Sequence, residues 1–209
     1  MIEIFNELEL EGLLKRSPYI MHEEIMRGEY RYGIEKDDLK YSLFCDVYED
    51  ICYQYIEYLN KDLISIALDC VQSVYTENRE IKIETYSNEK SMFHVDKQLI
   101  TYCQQGESTK LYYDKLDLLE LFWDEGTIRE DKVYYQRQIG DIKLRLAFST
   151  TGELYLKYYN QEKLLLNGHL KGCAEIQRQD NELNIICANG ISAKILFEKE
   201  SIQSHLGNN

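Results

Sequence analysis

The chain has 209 residues, 44% of them apolar and 29% charged, with one proline and eighteen tyrosines. This length and balance describe a soluble globular protein that buries roughly 70% of its unfolded surface, and they exclude the disordered and collagen-like classes. A net charge of -13 repels nucleic acid and anionic lipid and speeds encounter with basic partners.

The opening stretch, MIEIFNELELEGLLKR, carries four glutamates before its first lysine, the reverse of the basic head of a secretory signal. No apolar run approaches the roughly 20 residues that span a bilayer. The chain therefore reads as intracellular, in the cytoplasm, without a membrane segment. Cys45, Cys52, Cys70, Cys103, Cys173 and Cys187 include no CxxC pair, and in that setting they read as free buried thiols.

Between Asp37 and Tyr75, apolar or aromatic residues fall at Leu43, Val47, Ile51, Tyr55 and Leu59, then at Leu63, Ala67, Val71 and Val74. Near-regular spacing of four predicts helix over 38–76, broken near YLNKDL, where Asn60 or Asp62 caps a second segment. The competing reading makes LKYSLFCDVYED a strand, because Tyr, Phe and Val suit one. REIKIETYS and KSMFHVDKQLITYC follow as strands around a turn at Ser87 to Lys90, and QQGEST is a loop.

YYDKLDLLELFWDEG, residues 112 to 126, predicts a helix near 115–125 with Asp114 as N-cap and Gly126 just past its end. At 100° per residue Leu116, Leu118, Leu119, Phe122 and Trp123 share one side, and Asp117, Glu120 and Asp124 lie within about 60° of each other on the other. Asp124 and Glu125 stand at the negative end of the helix dipole, which is unfavourable by roughly 0.3 to 1 kcal/mol each. Trp beside charge is a common composition for an interface anchor. The candidate partner-binding residues are therefore Asp117, Glu120, Trp123, Asp124 and Glu125.

GTIREDK reads as a link into a series of hairpins with turn signals at Gly140-Asp141, Thr151-Gly152, Asn160-Gln161, Asn167-Gly168, Asp180-Asn181 and Asn189-Gly190. DIKLRLAF, ELYLKYY, ELNIICA and ISAKILF alternate apolar and polar residues, as strands with one buried face do. About seven antiparallel strands follow, as a sheet or a partly closed barrel. No internal repeat at fixed period, low-complexity tract or proline-rich linker is visible. The fold class is α+β: a mixed helical region over 1–130 with a few strands, then a β-meander over 131–209, as two parts or one cooperative unit. Residues 1–130 carry 28 Asp and Glu against 14 Lys and Arg, and residues 131–209 carry 9 against 10, so the excess acid lies in the first part.

Chemistry is weakly signalled. The glycines sit mostly at hairpin turns instead of forming a phosphate loop. His22, His94, His169 and His205 are isolated, and HEEIM lacks the second histidine of a zinc-protease helix, so no metal or cofactor is expected. Nothing favours a nucleophile pairing such as Cys103 with His94. On the wet face of the hairpins, Lys143, Arg145, Tyr155, Lys157 and Tyr159 interleave cations with aromatic rings. Such a face can stack bases or sugars, or simply shield a sheet.

These features point to a non-enzymatic acidic module that engages a basic protein surface, in the manner of an inhibitor, immunity protein or antitoxin. The partner expected is a basic protein such as a toxin or an enzyme acting on nucleic acid, without direct nucleic-acid contact. The alternatives are an enzyme lacking a recognisable motif and a small-ligand β-barrel.

Overall fold

Alternation, and not the helical period, governs the first half of the chain in a computed structural model that describes residues 1–16, 28–187 and 192–207. Strands β1 (Ile4–Phe5), β2 (Lys15–Arg16), β3 (Glu29–Lys36), β4 (Leu39–Asp46), β5 (Ile51–Tyr58), β6 (Lys61–Leu68), β7 (Val71–Glu77), β8 (Glu80–Thr85), β9 (Glu89–His94) and β10 (Leu99–Gln104) are accompanied by one short helix, α1 (Glu7–Leu13), between β1 and β2. The expected helices over 38–76 are absent, and β4, β5, β6 and most of β7 occupy that span. The physical reason is that a spacing of four is also a multiple of two. Leu39, Tyr41, Leu43 and Cys45 are all buried while the residues between them are more exposed, which is the signature of a strand with one face inside.

The turns explain why the hairpins are hard to see. Asp37-Asp38, Leu59-Asn60 and Asn78-Arg79 all have positive φ without glycine. Two consecutive residues at positive φ match the right-handed twist of the flanking strands, and aspartate and asparagine tolerate that conformation better than other residues with a Cβ.

The second half contains β11 (Tyr112–Tyr113), α2 (Lys115–Phe122), β12 (Thr127–Arg129), β13 (Lys132–Ile139), β14 (Ile142–Ser149), β15 (Leu154–Asn160), β16 (Lys163–Leu170), β17 (Cys173–Gln179), β18 (Glu182–Cys187), β19 (Ser192–Phe197) and β20 (Ile202–Gly207). The α+β class is thus corrected to a nearly all-β protein with two short helices among the described residues. The expected turn at Asn167-Gly168 lies inside β16, and the single meander is instead two, because β16 and β17 belong to different sheets. The Asn189-Gly190 turn lies outside the described residues.

Two compact units result, Met1–Thr101 and Tyr102–Asn209, with β10 straddling the junction. Each follows the same plan. A two-residue strand pairs in parallel with a later one, β1 with β7 and β11 with β17, and a capped helix follows it. Then come two antiparallel four-stranded meanders, β3–β6 and β7–β10 in one unit and β13–β16 and β17–β20 in the other. Asn6 and Asp114 hold equivalent N-caps, each accepting from a backbone N–H of the first turn. FNELELEGLL and YDKLDLLELF align under those caps, so Leu8, Leu10 and Leu14 correspond to Leu116, Leu118 and Phe122. The chain is a structural duplication whose two halves repeat at no fixed period.

The two cores differ within this shared frame. In the first unit Gln54 is fully buried and donates to the Tyr41 hydroxyl at 2.9 Å, while Ser91 donates to the Gln54 carbonyl. Tyr41 also stacks on Phe93 with ring centroids 3.5 Å apart, and burial pushes its hydroxyl pKa up despite the Gln54 hydrogen bond. The equivalent positions of the second unit, Leu144, Leu156, Ala193 and Ile195, are all buried and apolar. One core holds a polar network at these positions, and the other is apolar there.

Cysteine usage also departs from expectation. Cys45 and Cys52 face each other across β4 and β5 and form a disulfide. Two strands paired in register bring their side chains within reach, an approach that helical spacing of seven would not provide. Cys173 and Cys187 are buried cross-strand neighbours with sulfurs 3.3 Å apart and remain thiols. The Cys187 contact and burial push the Cys173 thiol pKa up.

Candidate functional site

Two surface features of the second unit stand out, and both are anchored by β13. The first is α2. Its N-cap, Asp114, accepts from Leu116 N at 2.7 Å. Its inward face is Leu118, Leu121 and Phe122. Phe122 packs against Tyr135 and Phe197 with centroids 5.4 and 5.3 Å away. The expected apolar stripe is therefore rotated: Leu121 joins the core, while Leu116 is 66% exposed and Leu119 37%.

The helix ends on Trp123, which takes the left-handed conformation at φ 54°, where a residue with a Cβ costs roughly 1 to 2 kcal/mol. Gly126 was expected to terminate the helix and instead lies three residues further on. The early stop turns the indole outward, leaving it 79% exposed. Arg137 lies over one face of the ring, 4.2 Å from its centroid, and donates to the Leu121 carbonyl at the helix C-terminus. A cation there suits the dipole.

The five candidate residues thus separate. Glu120 is ion-paired to Arg178, and Asp117 lies near enough to act on the same guanidinium. Asp124 lies beyond the helix and accepts from Gly126 N at 3.0 Å and Gln136 N at 3.4 Å, which fixes the turn into β12. Glu125 is exposed beside Trp123. The site-like part is a strip in which Leu116, Leu119 and Trp123 face solvent with Asp117, Glu120 and Glu125 near them along the chain.

The second feature is a groove of about 560 Å³ over the outward face of β12 to β15. Register places Tyr134, Ala147, Tyr155 and His169 in one cross-strand row and Gln136, Arg145, Lys157 and Asn167 in the next. Arg129, Lys132, Arg145 and Lys157 all line the groove. Tyr155 is covered on one side by His169, stacked at 4.4 Å, and Lys132 lies 4.3 Å from its ring centroid. Burial lowers the His169 pKa, with Lys171 and Lys132 acting in the same direction and Glu153 opposing them.

Sequence reasoning found Arg145, Tyr155 and Lys157 on the wet face but missed Arg129 and Lys132. GTIREDK reads as a link in the sequence, whereas Thr127–Arg129 pairs with β13 as a hairpin. The signal available was the alternation of Thr127 and Arg129 with Ile128 around a short polar turn.

Other chemistry gains no geometry. Among the described residues no group of three His, Cys, Asp or Glu side chains is arranged to hold a metal ion. His94 pairs with Glu80 at 2.7 Å, and the Cys103 sulfur accepts from Gln105 at 3.2 Å. His22 lies outside the described residues. No helix among the described residues is long and apolar enough to cross a membrane.

No family model and no curated protein matches the chain. Among solved structures, a contact-dependent growth inhibition toxin–immunity protein complex from Klebsiella pneumoniae 342 is similar over 47% of this chain and 97% of that chain, at 16% identity and a TM-score of 0.37. BamB from Moraxella catarrhalis is similar over 80% of this chain but 44% of its own, at 12% identity and a TM-score of 0.21. The computationally designed Ika8 protein is similar over 78% of this chain and 57% of its own, at 11% identity and a TM-score of 0.19.

Proposed function

We propose that the protein is a non-enzymatic binding module that engages a basic protein surface, in the role of an inhibitor or immunity protein. The observation that carries this reading is the exposed Trp123, held in place by Arg137 at the end of α2, a helix whose solvent-facing residues include Leu116, Leu119 and Glu120, with Asp117 part-exposed on it and Glu125 exposed just beyond it. A large apolar side chain left in water on an ordered scaffold is a ready anchor. The carboxylates supply steering toward a basic surface, reinforced by the first unit, with 21 Asp and Glu against 11 Lys and Arg.

Capture from native lysate tests the reading. Immobilised wild-type protein is compared with Trp123→Ala and with Glu125→Gln at low and high salt. The expected result is a basic protein that wild type retains at low salt, that salt releases, and that Trp123→Ala loses at least about tenfold. Retention of the same proteins by wild type and Trp123→Ala contradicts the proposal.

A further inference from the structure

The groove over β12 to β15 carries a charge arrangement that folding does not require. Arg145 and Lys157 stand directly opposite each other on adjacent strands, both exposed, and like charges placed that way are destabilising. Among the described residues neither has a carboxylate within ion-pairing distance, and the same holds for Arg129 and Lys132 at the rim. The one carboxylate in the lining, Asp124, is engaged by two backbone N–H groups.

The first unit acts as an internal control, because it has the same frame without the site. Ser42 and Tyr55 are the opposed pair where the second unit has Arg145 and Lys157. Phe44 occupies the position of Ala147 and packs against Tyr53 with centroids 5.9 Å apart. In the second unit Ala147 leaves a notch between Tyr134 and Tyr155. Tyr155 already carries His169 and Lys132, whereas Tyr134 is 39% exposed and makes no ring contact among the described residues.

We propose that this groove is a nucleotide-binding site. The phosphates lie on Arg145 and Lys157, with Lys132 and Arg129 at the rim, and the planar base sits over Ala147 against the Tyr134 ring. Cations bind phosphate oxygens through charge-assisted hydrogen bonds, aromatic rings stack bases, and the volume falls in the range of small-ligand pockets. An extended acidic peptide fits less well. Peptides commonly gain affinity by adding to a free sheet edge; β14, which forms the floor, is paired on both sides, and the edge strand at this groove, β12, offers only three residues. The net charge of the chain argues against nucleic acid only as an average, since this groove is locally cationic. The site does not depend on the protein-binding role of α2.

Calorimetric titration of the full chain at low salt tests the assignment, using inorganic pyrophosphate, adenosine, ATP, GTP, a short single-stranded RNA and poly-glutamate as probes. A nucleoside triphosphate is expected to bind at least about tenfold more tightly than pyrophosphate or adenosine alone. Tighter binding of the RNA than of free nucleotide identifies a strand as the source of the nucleotide, and the reverse identifies a free one. Arg145→Ser with Lys157→Tyr installs the residues that the first unit tolerates and should weaken binding at least about tenfold. Ala147→Phe should reduce a triphosphate to the affinity of pyrophosphate. Arg145→Gln alone serves if the double variant does not fold. Binding of poly-glutamate as tight as that of nucleotide, no detectable nucleotide binding, or wild-type affinity in folded variants overturns the proposal.

Discussion

Phe122→Ala is expected to destabilise the protein by about 3 to 5 kcal/mol. The side chain is buried and links α2 to Tyr135 and Phe197, so truncation leaves a cavity where three rings meet. An eight-residue helix is too short to persist alone, because isolated helices below roughly 12 to 15 residues are marginal in water. Loss of the Phe122 anchor therefore releases α2, and the strip bearing Trp123 goes with it. Urea unfolding followed by circular dichroism measures the stability, and Trp123 emission reports the strip. The solvent-facing neighbour Leu116→Ala should stay within about 0.5 kcal/mol of wild type.

Gln54→Leu should cost about 2 to 4 kcal/mol even though it places an apolar residue of similar size in an apolar core. The reason is that it strands two hydroxyls, those of Tyr41 and Ser91, which both bond to Gln54, and an unsatisfied buried polar group costs about 1 to 3 kcal/mol. Removing all three polar groups together should reverse the loss. Tyr41→Phe keeps the stack on Phe93, and Ser91→Ala matches Ala193 of the second unit. The triple variant Tyr41→Phe, Gln54→Leu, Ser91→Ala is expected within about 1 kcal/mol of wild type. Thermal and urea unfolding of the single and triple variants test this non-additivity. A single variant as stable as wild type would show that the network contributes nothing.

The legibility of this fold in the sequence varied with turn chemistry. Strands β14, β15, β18 and β19 are readable because apolar–polar alternation runs up to each turn, as at Gly140 and Asp180-Asn181. In the first unit the same hairpins turn on Asp37-Asp38 and Leu59-Asn60, and the tyrosine-rich strands between them mimic helical spacing. The duplication was hidden for a related reason. Equivalent residues are 108 apart at α1 and α2, 103 apart at β4 and β14, and 102 apart at β8 and β18, so no fixed period exists. The strongest surviving trace is the pair FNELELEGLL and YDKLDLLELF, whose leucines were read once as part of a charged N-terminus and once as an amphipathic helix.

The candidate site was legible at the level of residue type and not of orientation. Trp123 and its carboxylates could be picked out by composition. That Glu120 is committed to Arg178 and Asp124 to a turn follows from where β13 and β17 run, which local sequence does not specify. The outward Trp123 depends on a single backbone conformation that propensity would assign to Gly126. The groove follows the same logic, since Arg145 and Lys157 become an opposed pair only through the register of β14 with β15.

Two units of one design thus differ on the equivalent face, which is aromatic at Phe44, Tyr53 and Tyr55 in the first and a cationic groove with a notch in the second. If the helix end at Trp123 meets a basic partner, hydrogen–deuterium exchange of the free protein and of its complex with the captured basic partner will show partner-dependent protection centred on residues 115–129. Protection confined to other segments, with 115–129 exchanging as in the free protein, would contradict it.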